Sequence, residues 1–462
     1  MQNWKPDLSN SKGARTQAIL DALRQDILGG TLKPNEQIPP LRSIASELGL
    51  NAATVKRAFD QAEKEGLIVR HVGKGTFVKA APKGVHLPFQ MNGEVLDLAT
   101  NGPPAISNEL LRQTLTNSIL PLPYLDELFR YHKEVDYTKH RDALAFWINQ
   151  HGLPVSSANI VITPGAQSAI VTALLATVGR NGTVAVEEMT YPGFISACRS
   201  LGIEVVSIRS DDHGPLPDDF REQLQVRPDI SSFFVIPRAH NPTTRCISRE
   251  RIHQLSDLAA KHNITIIEDD SYIGPRISEE NPTFANTYPS GTYYLSGLSK
   301  ILQPGLRIAY LVPPAHALPA CQAIAQSLNY SVSPLLLELS RLWITDGTAF
   351  EIYNSNNEFF SSRHERAAII LSGFNISSNR QNAQIWMQLP EGWTSVSFTE
   401  TARSEGIRVS AAESFLTTST SSKCTHIRLC VGSVKNEQDF DNALRKIASL
   451  AHSAARFVQY DP

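Results

Sequence analysis

The sequence predicts an α/β protein: a mostly parallel mixed sheet with helices on both faces, preceded by a small module of three helices and a hairpin. Three observations carry this reading. Short apolar, β-branched runs alternate with helix-periodic stretches over most of the chain, the pattern of a parallel sheet covered on both sides. The first 80 residues instead show three short helical patterns and a glycine-flanked turn. Charge divides at the same place: residues 1–80 hold twelve Lys/Arg and eight Asp/Glu, a net +4, in a chain whose total is −2, which leaves −6 for the remainder. A length of 462 residues exceeds one hydrophobic core, so two or three domains are expected.

In the first module, Ile19, Leu23 and Ile27 recur every four residues with Leu20 beside them, giving a helix one apolar face. Gly29-Gly30 ends it, because glycine takes the left-handed conformation past a helix C-terminus. Pro39-Pro40 precedes a second short helix built on Leu41, Ile44, Ala45 and Leu48. Gly49-Leu50 makes a tight turn, and Asn51 is a good N-cap for a third helix over about 52–65. Val55, Ala58, Phe59 and Ala62 form its buried side. Thr54, Lys56 and Arg57 then lie near its N-terminal end, where a recognition helix meets base edges and phosphates. Leu67–Arg70 and Thr76–Val78 read as a hairpin with Gly73-Lys74-Gly75 at its tip. Three helices and a wing make either a reader of nucleic acid or a small helical accessory domain; the basic balance favours the reader. Residues 79–91, with Pro82, Gly84 and Pro88, read as a short linker, which sets the domains at 1–78 and 92–462.

In the body, Ile160-Val161-Ile162, Val184-Ala185-Val186, Phe233-Phe234-Val235-Ile236 and Ile264-Thr265-Ile266-Ile267 read as buried strands, with helices such as 168–178 and 249–261 between them. Functional residues in such sheets gather at the carboxyl ends of strands. Thr163-Pro164-Gly165-Ala166-Gln167 opens a helix there and can cradle a phosphate through backbone N–H groups. Tyr191-Pro192-Gly193 offers an aromatic face to a planar ring. Asn241-Pro242-Thr243 offers an amide donor, and Glu268-Asp269-Asp270-Ser271-Tyr272 a carboxylate for a protonated pyridine nitrogen. Alone, the first two are equally an ordinary turn and a rim tyrosine, Asn-Pro often simply initiates a turn, and an acidic loop is usually just solvated.

The stretch Ser296–Tyr310 changes that balance. Ser299 and Lys300 follow small residues, and Arg307 comes after the turn Pro304-Gly305. A lysine that condenses with an aldehyde must be held close to the cofactor ring, and a phosphate on that cofactor suits a hydroxyl and a guanidinium fork. Elsewhere the composition excludes more than it selects. Apolar content of 42% and charged content of 19% are those of a soluble globular protein. No apolar run approaches the roughly 18–20 residues that span a bilayer, and Met1–Pro6 lacks the apolar core of a signal peptide. The five cysteines, Cys198, Cys246, Cys321, Cys424 and Cys430, are scattered without a CxxC, so neither a disulfide framework nor a metal site is expected, and the compartment expected is the reducing cytoplasm.

Residues 14–78 resemble the GntR family of winged helix-turn-helix regulators. Ile38-Pro39-Pro40-Leu41-Arg42 stands for the family's Leu-Pro-Ser-x-Arg, and Gly73 to Val78 for its wing. The resemblance implies contacts to double-stranded operator DNA from Arg42, Lys56 and Lys74, with Thr54 supporting the start of the recognition helix; Ala52 stands where an arginine is common. Residues 95–450 resemble fold type I aminotransferases, whose lysine pattern Ser-Lys-x-x-x-x-Gly-x-Arg runs here from Ser299 to Arg307. That resemblance implies a smaller C-terminal α+β domain and pyridoxal 5′-phosphate attached to Lys300. It places Asp269 at the pyridine nitrogen, Tyr272 and Asn241 at the ring oxygen and Tyr191 on the ring. Ala166, Gln167, Ser299 and Arg307 would surround the phosphate, Tyr131 would reach the phosphate of a partner subunit, and Arg428 would clamp a substrate carboxylate. The chain departs from the family at Gly297, where a phosphate-binding serine is usual, and at Thr244 and Asp136, where glycine is.

The two halves together resemble the MocR family of regulators. The implied protein is a pyridoxal-phosphate-dependent, DNA-binding transcriptional regulator, homodimeric with exchanged DNA modules, that senses an amino compound or the cofactor itself. The alternatives are an active aminotransferase carrying a DNA-binding module, and a DNA-binding protein whose body serves only to dimerise.

Overall fold

The computed structural model describes residues 4–6, 15–28, 31–32, 36–64, 67–71, 75–79, 95–131, 137–150, 152–272, 282–418 and 424–453. The chain divides into two compact units, Met1–Gly93 and Glu94–Pro462.

In the first unit, α1 (Arg15–Leu28), α2 (Leu41–Leu48) and α3 (Ala52–Lys64) close on a core of Ile19, Leu23, Ile44, Val55, Ala58 and Phe59. Gly49, at φ 62°, ends α2 and donates its N–H back to the carbonyls of that helix's last turn. Asn51 caps α3, its Oδ1 accepting from the Ala53 N–H at 2.9 Å. Two features escaped the sequence reading. A two-residue strand, β1 (Gln37–Ile38), pairs antiparallel with β3 (Gly75–Val78), which pairs with β2 (Ile68–His71), so the wing is three-stranded. Trp4 is also buried in this core, and its indole N–H donates to Asp26 at 2.7 Å.

The second unit is built on a seven-stranded sheet. Its strands are β4 (Val161–Thr163), β5 (Thr183–Glu187), β6 (Glu204–Ile208), β7 (Ile230–Val235), β8 (Thr265–Asp269), β9 (Thr292–Gly297) and β10 (Ala309–Val312), in the order β4-β10-β9-β8-β7-β5-β6. The five strands from β9 to β6 are parallel; β10 runs antiparallel to both its neighbours. The apolar runs read from sequence are thus strands, and the first of them joins the sheet at its edge through the antiparallel β10. Helices α4 (Ala166–Thr177), α5 (Pro192–Leu201) and α6 (Arg249–Lys261) return the chain between strands, and large apolar clusters pack on both faces.

A smaller antiparallel sheet follows: β11 (Ile376–Ser378), β12 (Gln384–Gln388), β13 (Ser410–Ala411) and β14 (His426–Cys430), in the order β11-β12-β14-β13. Helices α7 (Thr348–Ile370), α8 (Ser395–Ser404) and α9 (Glu437–His452) share one core with it. The strap 97–104 runs beside β14: the Cys430 N–H donates to Leu98 at 2.8 Å, and the Ser433 hydroxyl to Thr100 at 3.0 Å.

Candidate cofactor site and nucleic-acid interface

The strand ends β4, β5, β8 and β9 converge on one cleft lined by Ala166, Gln167, Tyr191, Asp269, Ser271, Tyr272, Gly297, Ser299, Lys300 and Arg307. At its floor, β4 turns into α4 through Gly165, at φ 97°, and the first turn of a helix leaves backbone N–H groups for an outside acceptor. The Arg307 guanidinium closes over that bare backbone: a Cβ on Gly165 would lie 2.3 Å from Arg307 Nη2. Arg307 itself is left-handed, at φ 52°, and Nη1 reaches the Ser299 hydroxyl at 3.5 Å.

Gly193 opens the opposite wall. A Cβ there would strike both the Tyr191 ring and the Gln167 amide at 2.4 Å, so the glycine lets those two approach. The Gln167 amide donates to the Gly193 carbonyl at 2.8 Å. Burial raises the Tyr191 hydroxyl above its ordinary value, and the nearby Asp269 charge adds to this.

At the end of β8, Asp269 is almost wholly buried and accepts from the Ser271 N–H at 3.2 Å and from its hydroxyl. Burial pushes its carboxyl up to about 6; the two Ser271 bonds act the other way. Since folding raises this pKa, its stability contribution is present below the unfolded value of 3.8 and is lost as pH rises through about 6. In cofactor-free protein, Asp269→Asn is therefore expected to be the more stable form at neutral pH, by up to about 3 kcal/mol, with the advantage vanishing below about pH 4. Denaturant unfolding of parent and variant across that range checks it.

Lys300 follows β9. Its Nζ donates to the Asn101 carbonyl at 2.6 Å, and burial lowers its pKa, with the Arg428 and Arg307 charges adding to the shift. A neutral amine is the form that attacks a carbonyl. Arg428 lies in the centre of the small sheet, buried, with its guanidinium 4.9 Å from the Phe415 ring centroid. Its Nη1 donates to Asn241 Oδ1 at 2.8 Å, and Asn241 Nδ2 donates in turn to the Tyr272 hydroxyl at 2.9 Å. Its Nη2 donates to the Ala99 carbonyl at 2.7 Å and to the Ser410 hydroxyl at 3.3 Å. Burial raises the Tyr272 hydroxyl well above its usual value.

The fold therefore brings together all the predicted body residues except Tyr131, which is exposed and stacks edge-on with Tyr330 at 5.2 Å. Gly297 has a different explanation from a lost phosphate ligand. A Cβ there would lie 2.8 Å from Ala309 Cβ and 3.0 Å from the Ile308 carbonyl, so the approach of β10 requires glycine. Thr244 adopts the left-handed conformation of the glycine it replaces, at φ 63°, and its hydroxyl bonds Ser377 of the small sheet at 2.8 Å. Asp136 and Lys74 lie outside the described residues. Sequence reasoning missed Ser271, Ala99 and Ser410, whose types are common in any loop and carry no spacing signal.

On the first unit, Arg42, Lys56 and Arg57 are exposed and Thr54 is half-buried. Lys56 is paired with Asp60 at 2.9 Å.

The family described as aminotransferase class I and II matches residues 95–447, and the bacterial regulatory proteins of the gntR family match residues 15–78. YdeF of Bacillus subtilis, named an uncharacterized HTH-type transcriptional regulator, is 30% identical over 90% of this chain and 89% of its own. The chain belongs to the MocR-type transcriptional regulators of the GntR family. A second relative of this MocR-type regulator, PtsJ of Salmonella typhimurium, is named a vitamin B6 salvage pathway transcriptional repressor; it is 28% identical over 84% of this chain and 88% of its own. The Pyrococcus horikoshii kynurenine aminotransferase structure shares the fold of the body, with a TM-score of 0.69 at 21% identity, over 78% of this chain and 91% of that one.

Pyridoxal 5′-phosphate is the cofactor of the aminotransferase family, and this MocR-type site fits it on three counts. A cradle that any Cβ would fill sits beneath Arg307, a lysine amine with a lowered pKa faces the cleft, and a buried carboxyl in no ion pair among the described residues closes its far end.

Proposed function

We propose that this regulator reads an amino compound at Lys300 and Arg428 and converts its binding into a change in DNA affinity. One observation carries the reading: Lys300 and Arg428 both spend a hydrogen bond on carbonyls of the same strap, those of Asn101 and Ala99. Attachment of the cofactor to Lys300 and of a ligand carboxylate to Arg428 would each replace one of these bonds, and the strap is the segment by which the chain enters the body after the linker.

When bound, the cofactor supplies an aldehyde that condenses reversibly with primary amines and a ring that withdraws electrons. The chain's own residues hold it. The N–H groups of Ala166 and Gln167, the Ser299 hydroxyl and Arg307 would take the phosphate. Asp269 would keep a proton on the ring nitrogen, and Ser271 fixes the carboxylate that would do so. Tyr191 would cover the ring face, while Asn241 and Tyr272 would donate to the ring oxygen. Arg428 offers a carboxylate its planar fork once Ala99 and Ser410 let go. In a homodimer with exchanged DNA modules, Tyr131 reaches the partner's phosphate site. The DNA module comprises residues 1–78, with Arg42, Thr54, Lys56 and Lys74 at the duplex, and the body residues 92–462, joined by the linker 79–91; the setting is the cytoplasm.

The test is a titration of the full-length, cofactor-loaded protein with α-amino acids, ω-amino acids and amines that lack a carboxylate. Absorbance of the cofactor and affinity for the protein's own promoter fragment are read together. Carboxylate-bearing amines are expected to change both, and Arg428→Gln to remove their advantage over simple amines. Retention of Lys300, Asp269 and Arg428 in one cleft also favours a second reading, an active aminotransferase. Repeated turnover to the keto acid with unchanged DNA affinity would establish that reading and sink the first.

A further inference from the structure

On the solvent side of α3, Lys56 and Asp60 stand one turn apart, with Lys56 Nζ 2.9 Å from Asp60 Oδ2. The other oxygen of the same carboxylate, Oδ1, takes Arg70 Nη1 at 2.6 Å; Arg70 belongs to β2 of the wing. Glu63 lies farther from that guanidinium, at 3.6 Å. Asp60 thus spends one oxygen on the recognition helix and one on the wing. The bonds from Lys56 and then Arg70 hold its carboxyl below the usual range, so it stays ionised. Arg70 Nε and Nη2 are buried and hydrogen-bond no other group among the described residues, which leaves this carboxylate as the main anchor of the wing cation there.

An exposed pair of this kind adds little to stability. Its weight lies in what it withholds. Lys56 is bent towards the C-terminal end of α3, away from the end that enters a groove, and the charge of Arg70 is cancelled at source. We propose that Asp60 is an affinity-setting residue of the DNA interface: a phosphate must compete with this carboxylate for Lys56, and Arg70 stays silent while the carboxylate holds it. The module then binds DNA of any sequence more weakly than its count of cations implies. Every phosphate neutralised releases counterions, so the withheld charge is directly measurable as a salt dependence.

The experiment uses full-length protein and a short DNA duplex of unrelated sequence, titrated by fluorescence anisotropy at several salt concentrations. Asp60→Asn is expected to bind about tenfold more tightly, with the slope of log affinity against log salt steeper by roughly 0.9 per liberated cation. Glu63→Gln makes the same charge change on the same helix and is expected to gain less than half as much. Lys56→Ala should cost more in the Asp60→Asn background than in the parent. Asp60→Glu, which keeps the charge and fold, should return affinity and slope to near parental values. Equal gains from Asp60→Asn and Glu63→Gln without coupling to Lys56 would reduce the effect to net charge and overturn the proposal. Weaker binding by Asp60→Asn, with or without loss of the module's melting transition, would make Asp60 a brace for the wing and overturn it equally.

Discussion

Lys300→Ala is expected to abolish covalent capture of pyridoxal phosphate: borohydride treatment of the loaded parent should tag one peptide spanning residue 300, and the variant none. The remaining contacts, the Gly165 cradle, Arg307, Ser299 and Asp269, would still bind the cofactor reversibly, so equilibrium dialysis should show weaker but measurable retention. The lowered pKa of Lys300 makes the outcome specific, because an ordinary surface lysine is almost wholly protonated at neutral pH and reacts poorly with aldehydes. Tagging of another lysine in the variant would mean that the cleft is not the attachment site.

Arg238→Met is expected to be the most destabilising single change in the body. Arg238 and Asp270 are both inaccessible, and the guanidinium meets the carboxylate bidentately, with Nε donating to Oδ1 at 2.8 Å and Nη2 to Oδ2. Tyr294 completes the arrangement by donating to Oδ2 at 2.8 Å. Removing one partner strands a buried charge, which costs about 3–5 kcal/mol; replacing both by apolar residues is often near neutral. Arg238→Met should therefore lose that amount in denaturant unfolding, and Arg238→Met with Asp270→Leu should recover much of it. Because Asp270 adjoins Asp269, the single variant should also weaken cofactor retention. An Arg238→Met protein as stable as the parent would remove the pair from the account.

The recognition helix and the lysine loop were legible in the sequence because local chemistry specifies them. Asn51 caps α3 and Gly49 ends α2 through their own backbone geometry, and the lysine loop carries Ser299, Lys300 and Arg307 on one short segment around the turn Pro304-Gly305. What stayed hidden depends on contacts between distant residues. The Arg238–Asp270 pair spans 32 positions and the Trp4–Asp26 bond 22, and neither leaves a period. β1, β11 and β13 are two or three residues long, below any alternation that could reveal them. The meaning of Gly297 was invisible for the same reason: its constraint comes from Ala309 on the neighbouring strand.

The strap carries a consequence for selectivity. Ala99 and Asn101 lie two residues apart on the strap, just past the turn in which Asp97 accepts from the Ala99 and Thr100 N–H groups, and their carbonyls accept from Arg428 and Lys300. Under the function proposed above, cofactor on Lys300 would free one carbonyl and a ligand carboxylate on Arg428 the other. Full release of the strap would demand the attached cofactor and a carboxylate together. The strap would then work as a coincidence detector, deaf to a free acid in the cofactor-free protein.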